Sequence, residues 1–168
     1  NARERGLRHR RREAWAGARE VFGEAGEALA RLEAEISFER GQVAAAGGDH
    51  DEARAAFEAA MVRDPDQARY AVEHGRALIA LDRAAEAIQA LDGVRERAPD
   101  RSEVHAALAE AYRAQGWLDE AGRAVAQAAA LAPDNAVYLH ASAEIQAESG
   151  DLVAAEQAFG RAVALRPR

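Results

Sequence analysis

The chain contains no cysteine, no lysine and no threonine; it has only four prolines, and aromatics make up 5% of its 168 residues. Without cysteine there is neither a disulfide nor a thiolate metal site, which excludes a cystine-stapled domain but fixes no compartment. All 22 basic residues are arginine, a bias that reads as GC-rich, bacterium-like coding. No apolar run approaches the ~18 residues needed to cross a bilayer, so direct membrane insertion of this segment is not expected. No segment has the form of a signal peptide, while the start at Asn1 leaves upstream sequence open. The expected compartment is the cytoplasm, with the periplasm or a tether through an upstream anchor as alternatives.

Chemical signatures are missing too. There is no glycine-rich phosphate loop after a strand, no nucleophile elbow and no Cys/His metal spacing. Catalytic residues, metal and cofactor are therefore all expected to be none. The histidines are His9, His50, His74, His105 and His140. The numbers of His105 and His140 differ by 35, which suggests neighbours in successive units, serving as packing or groove residues rather than ligands.

Alanine supplies most of the 49% hydrophobic content. It is the best helix former and allows close helix approach, and no stretch alternates like a strand, so the expectation is all-α. The net charge of −7 gives no nucleic-acid profile. The charge is uneven: six arginines against Glu4 give residues 1–12 a local +5. Positive charge at a helix start opposes the macrodipole, so residues 1–11 read as a basic, flexible segment.

The prolines Pro65, Pro99, Pro133 and Pro167 are evenly spaced, each number exceeding the last by 34. Proline ends a helix because it lacks an N–H and pushes its predecessor out of the α region. Asp66, Asp100 and Asp134 follow three of them, placed to cap or neutralise the next helix start. The same register aligns Ala53, Ala87, Ala121 and Ala155, and the small residues Gly41, Gly75, Ala109 and Ala143. It also aligns the large apolar Phe57, Leu91, Val125 and Phe159, with Ala60, Val94, Ala128 and Ala162 beyond them. Two antiparallel helices touch where neither carries bulk, and a large side chain plugs the gap alongside. Mid-unit turns fall at Gly47-Gly48-Asp49, Leu81-Asp82, Gly116-Trp117 and Gly150-Asp151.

Over residues 34–168 these rows, turns and closing prolines resemble the tetratricopeptide repeat family. Ser37, Ala71 and His105 stand where that family often has tryptophan, and the second unit lacks its turn glycine. The resemblance implies a right-handed α-solenoid of four helix-turn-helix hairpins, at 34–67, 68–101, 102–135 and 136–168. Helices are expected near 34–47, 51–63, 67–81, 84–97, 101–115, 118–131, 135–149 and 152–165.

Ahead of the first unit, Trp15, Ala18, Phe22, Ala25, Leu29, Leu32, Ile36 and Val43 form a heptad seam interrupted at Glu39. The spacing predicts one helix from about Arg12 to Ala46, with residues 12–33 preceding the first hairpin. Gly23 and Gly26 are where it would kink. The seam either covers the outer side of the first hairpin or, through Trp15, Phe22, Leu29 and Leu32, pairs with a partner helix or with a second copy as a homodimer.

In the family, the first helix of each unit lines a concave groove. The resemblance therefore implies partner contacts at Phe38 and Gln42, then Arg69, Val72, Arg76 and Ile79. It continues through Glu103, Ala106, Glu110 and Arg113 to Val137, His140 and Glu144. Arg69 and Arg76 would make one region basic over an apolar floor of Val72 and Ile79, while Glu110 and Glu144 would make the far end acidic. Such a groove suits an extended or helical peptide. Chaperone-binding members clamp a terminal carboxylate with lysine, asparagine and arginine. Here the matching positions hold Phe38, Gln42, Glu73, Glu103 and Ala107, so no affinity for such tails is implied.

The leading expectation is a non-catalytic scaffold or adaptor for a protein or peptide. The alternatives are a self-assembly module working through the N-terminal helix and the solenoid ends, where Leu152, Val163 and Leu165 have no covering helix, and a regulatory arm of a larger enzyme.

Overall fold

A computed structural model describes residues 2–165, with side chains from residue 14 onward. The arginine side chains at positions 3–12 and residues 166–168 lie outside the described residues. Among the described residues there are eight helices and no strand: α1 (Ala2–Ala46), α2 (His50–Arg63), α3 (Ala68–Ala80), α4 (Ala84–Arg97), α5 (Ser102–Ala114), α6 (Leu118–Leu131), α7 (Ala136–Glu148) and α8 (Leu152–Ala164). From α2 onward each helix end falls within one residue of its expected place. The helices pair as α1·α2, α3·α4, α5·α6 and α7·α8, and successive pairs stack through α2·α3, α4·α5 and α6·α7.

Pro65, Pro99 and Pro133 lie in the short linkers between hairpins, outside any helix, and Pro167 lies outside the described residues. The aspartates behind the prolines do not cap. The N-cap positions are Gln67, Arg101 and Asn135, one residue later, and of these only Asn135 accepts a backbone N–H, from Val137 at 3.0 Å. Two of the mid-unit aspartates do cap: Asp49 accepts from Glu52 N and Asp151 from Ala154 N, both at 3.0 Å. Gly48, Gly116 and Gly150 close their turns at positive φ, and in the second unit Asp82 takes the same left-handed conformation at φ 57°. An aspartate tolerates that region better than most side chains, so the missing glycine costs the repeat little.

The core is divided along the axis. One cluster joins Ala34, Phe38, Phe57 and Ala60 to Tyr70 and Ala77. A second joins Leu78, Ile88, Leu91 and Val94 to Val104 and Leu108. A third joins Ala109, Ala121 and Val125 to Ile145. Each cluster bridges neighbouring units, as stacked repeats require.

α1 differs from expectation in two ways. It begins at Ala2 rather than near Arg12, so the expected boundary after residue 11 is not a break in the helix. Arginine, alanine, glutamate and leucine are good helix formers, and no proline interrupts them. It also runs through Gly23 and Gly26 as one helix of 45 residues, roughly 67 Å long. Nothing lies within 4 Å of a Cβ built on either glycine. Gly23→Ala and Gly26→Ala are each expected to stabilise the helix by about 0.5–1 kcal/mol, seen as a higher melting temperature by circular dichroism. Unchanged or lowered melting would mean that these glycines bend or pack in solution.

The seam does not cover the first hairpin. Ala34, Phe38 and Gly41 face α2, with the Phe38 and Phe57 rings 5.5 Å apart. Ile36 and Val43 lie two residues further along, about 200° around the helix. They are 69% and 73% exposed, and Trp15, Phe22, Leu29 and Leu32 are exposed with them. At the other end of the solenoid Leu152, Val163 and Leu165 are also exposed.

Candidate interaction groove

Among the first helices of the units, α3 packs beside α5, and α5 meets α7 through side chains, so that residues about one repeat apart become neighbours. Position 38 and its equivalents show how side-chain size shapes the surface. Phe38 and Val72 are each only 5% exposed. Phe38 is held between Phe57 and Tyr70, whose ring centroid is 5.0 Å away, under the Arg69 guanidinium at 4.9 Å. Val72 belongs to the second core cluster. Neither lines a groove, because a side chain long enough to reach the helix interface buries itself there.

Ala106 is too short to fill the equivalent space, and a hollow of about 70 Å³ opens beside it. Its apolar lining is Ala106, Ala109, Val137, Ala141 and Ile145, with Tyr138 alongside and Arg76, Glu110 and Arg113 around the rim. Val137 is 69% exposed. Five of the expected groove residues (Arg76, Ala106, Glu110, Arg113 and Val137) thus meet at one place. Ala109, Tyr138, Ala141 and Ile145 were not anticipated there, although Ala109 belongs to the row of small residues. Gln42 and Arg69 are exposed and Ile79 half-buried, all away from the hollow.

The rim charges are paired across helices rather than separated into basic and acidic regions. Arg76 Nε and Nη2 donate to Glu110 at 3.2 and 3.1 Å, and Arg76 Nη1 donates to Glu73 at 2.8 Å. Arg113 donates to Glu148 at 2.9 Å and to Glu144 at 3.1 Å. Arg69 pairs with Glu35, which also accepts from the Tyr70 hydroxyl at 3.0 Å. The expected division of the groove is therefore replaced by ion-pair rungs between successive units, because the repeat period brings those residues level.

Hydrogen bonding to Glu110 raises the Arg76 pKa above its ordinary value, and Glu148 does the same for Arg113. Burial, with Glu35 adding to it, raises that of the Tyr70 phenol. The rungs are 40–49% exposed, and such pairs contribute only about 0.2–1 kcal/mol each. Their role is to hold the arginine forks in place.

The histidines separate. His105 is buried with Nε2 at 2.8 Å from the Pro99 carbonyl oxygen. His140 is exposed, 3.4 Å from Glu144 and edge-on to the Phe159 ring at 5.2 Å. Burial lowers the His74 pKa, favouring the neutral ring. Among the described residues no cluster of three His, Asp or Glu is placed to hold a metal ion, and no helix is long and apolar enough to cross a membrane.

Three tetratricopeptide repeat models match, at residues 3–68, 44–111 and 102–135, and together span most of the chain. The chain belongs to the tetratricopeptide repeat (TPR) family. It is a TPR scaffold with a general protein-interaction role. No curated protein matches its sequence.

Among solved structures it is similar to a thermophilic TPR protein of Thermus thermophilus, with TM-score 0.70, 22% identity, and 79% of this chain and 74% of that one covered. It is similar to MamA (residues 41 to the end) of Desulfovibrio magneticus RS-1, with TM-score 0.67, 21% identity and coverage of 79% and 75%. The Arabidopsis OM64 TPR domain aligns at TM-score 0.64 and 18% identity, over 71% of this chain and 98% of that domain. At these identities the likeness is one of fold.

Proposed function

We propose that this TPR chain is an adaptor that holds a partner peptide, extended or helical, along the concave side of α3, α5 and α7. The observation that carries this is the hollow between Ala106, Val137 and Ile145, ringed by fixed arginine and glutamate side chains. It has room for one aliphatic side chain, and the rim offers charge of both signs to the flanking residues of the peptide. One apolar anchor among oriented polar groups is a common plan for peptide recognition.

The test is co-purification of partners on immobilised wild-type chain against Val137→Glu and Ala106→Arg. Val137 is exposed and Ala106 borders the hollow, so both variants should keep the helical spectrum and melting temperature of wild type. Specific partner bands are expected to fall at least roughly tenfold, since a charge buried against an apolar anchor costs more than about 1.4 kcal/mol. Equal capture by folded variants would refute the groove.

A second reading is self-association through α1. It is favoured by the uncovered apolar seam, since an apolar stripe of this length on a folded protein marks a contact surface.

A further inference from the structure

Val43 occupies a position that is buried in every later unit, and Ile36 one that is buried in the second and third units and half-buried, as Tyr138, in the fourth. One repeat period further on each time, Ile36 corresponds to Tyr70 and Val104, at 1% and 0% exposure, and Val43 to Ala77, Ala111 and Ile145, at 5%, 0% and 4%. In those units the residues pack on the second helix of the preceding hairpin: Tyr70 and Ala77 with Phe57 and Ala60, Val104 and Ala111 with Leu91 and Val94, Ile145 with Val125. The first unit has the same apolar residues with nothing against them.

The missing element is written in α1 itself. Ala18, Phe22 and Ala25 repeat the spacing of Ala53, Phe57 and Ala60, each number lower by 35, so residues 14–28 carry the pattern of a second helix. The family model matching residues 3–68 takes in this stretch. In the later units a linker such as Asp64-Pro65-Asp66-Gln67 folds the chain back between second and first helices. The equivalent four residues here are Leu29-Ala30-Arg31-Leu32, all good helix formers with no proline, and the helix continues through them. On one straight rod, Phe22 and Ile36 share a side and cannot meet.

A second copy can supply the contact. The seam is symmetric about the point between Ala30 and Arg31. Laid antiparallel on itself, Leu29 faces Leu32, Ala25 faces Ile36, Ala18 faces Val43 and Trp15 faces Ala46, each pair of residue numbers totalling 61. Ala25, Ala18 and Ala46 each meet a large residue, and two leucines meet at the centre. The symmetry point also falls, by the same offset of 35 in number, at the middle of the Asp64–Gln67 linker, where a fold-back would be centred.

We propose that two copies associate through α1 as an antiparallel pair with its twofold axis beside Ala30 and Arg31. Residues 14–28 of each copy then complete the first hairpin stack of the other. The pairing rests on the self-association reading above and adds its orientation and register. A heptad seam drifts by about 20° per turn-pair on a straight helix, so the pair winds gently left-handed. The only mismatch is Glu39 opposite Phe22.

The cysteine-free chain makes a direct test possible. Full-length Ala25→Cys and Ile36→Cys variants are oxidised singly and as a mixture, with solution mass measured by sedimentation and light scattering. An antiparallel pair brings residue 25 of one copy to residue 36 of the other. The mixture is therefore expected to give disulfide-linked dimer while each variant alone gives almost none, because Cα atoms more than about 7 Å apart do not bridge. Leu29→Glu should yield monomer with unchanged melting of the hairpins. Glu39→Leu should tighten the dimer by roughly tenfold or more by completing the seam.

A wild-type monomer at high protein concentration would overturn self-association altogether. A dimer in which each single variant links to itself would be parallel and would overturn only the orientation. A dimer unaffected by Leu29→Glu would place the contact elsewhere and overturn the α1 interface.

Discussion

Replacing Leu108 with alanine is expected to lower the unfolding free energy by about 3 kcal/mol, within the roughly 2–5 kcal/mol range for such truncations. Leu108 is fully buried in α5 and belongs to the cluster that joins Ile88, Leu91 and Val94 of the second unit to Val104 of the third. Its removal leaves a void at the middle junction of the array, bounded by helices that cannot collapse without shifting whole units. In a solenoid the global transition is cooperative only while each interface outweighs the instability of its neighbours. Denaturant unfolding followed by circular dichroism should therefore show a lower midpoint and a shallower slope, with the two ends unfolding separately. A loss below about 1 kcal/mol with unchanged slope would show that the junction is not the core described here.

The second large effect concerns Gly41, where alanine should destabilise the chain despite being the better helix former. A Cβ at Gly41 would lie 2.6 Å from two ring carbons of Phe57, and Phe57 is 1% exposed with Phe38 against it. Alanine gains about 1 kcal/mol of helix propensity over glycine, but forcing atoms into a filled core costs up to about 3 kcal/mol. With the ring walled in, a net loss of about 2 kcal/mol is expected.

The same register contains its own rescue: Ala109 sits in a unit with the smaller Val125, and Ala143 in one whose Phe159 is only half-buried. Gly41→Ala with Phe57→Leu should accordingly recover at least about 1 kcal/mol relative to the sum of the single changes, measured in a double-mutant cycle. Additive losses would place the strain elsewhere.

Much of this fold can be read from covalent grammar. Proline cannot donate to a helix, so four prolines at equal spacing set the unit length, and rows of alanine and glycine reveal where helices must touch. Directions around a helix are harder to read. Ile36 and Phe38 are both apolar and two residues apart, yet one is exposed and the other buried, because only the position of α2 separates their surroundings. The hollow was partly legible for a similar reason. Arg76, Ala106, Glu110, Arg113 and Val137 meet as their register implies, whereas Phe38 and Val72 turn inward because their bulk has a better place to go. The ion-pair rungs follow from adding one repeat period to a residue number, as from Arg76 to Glu110, but a face-by-face count of charges conceals them.

The unbroken α1 also alters how the molecule moves through liquid. Residues 2–33 belong to that helix and project ahead of the first hairpin. Their reach is roughly 50 Å, from a helical rise of about 1.5 Å per residue, which makes a boom attached to a short arc. Such an outline drags more than a sphere of equal weight, so on a sizing column even the single chain should emerge early and imitate a larger particle.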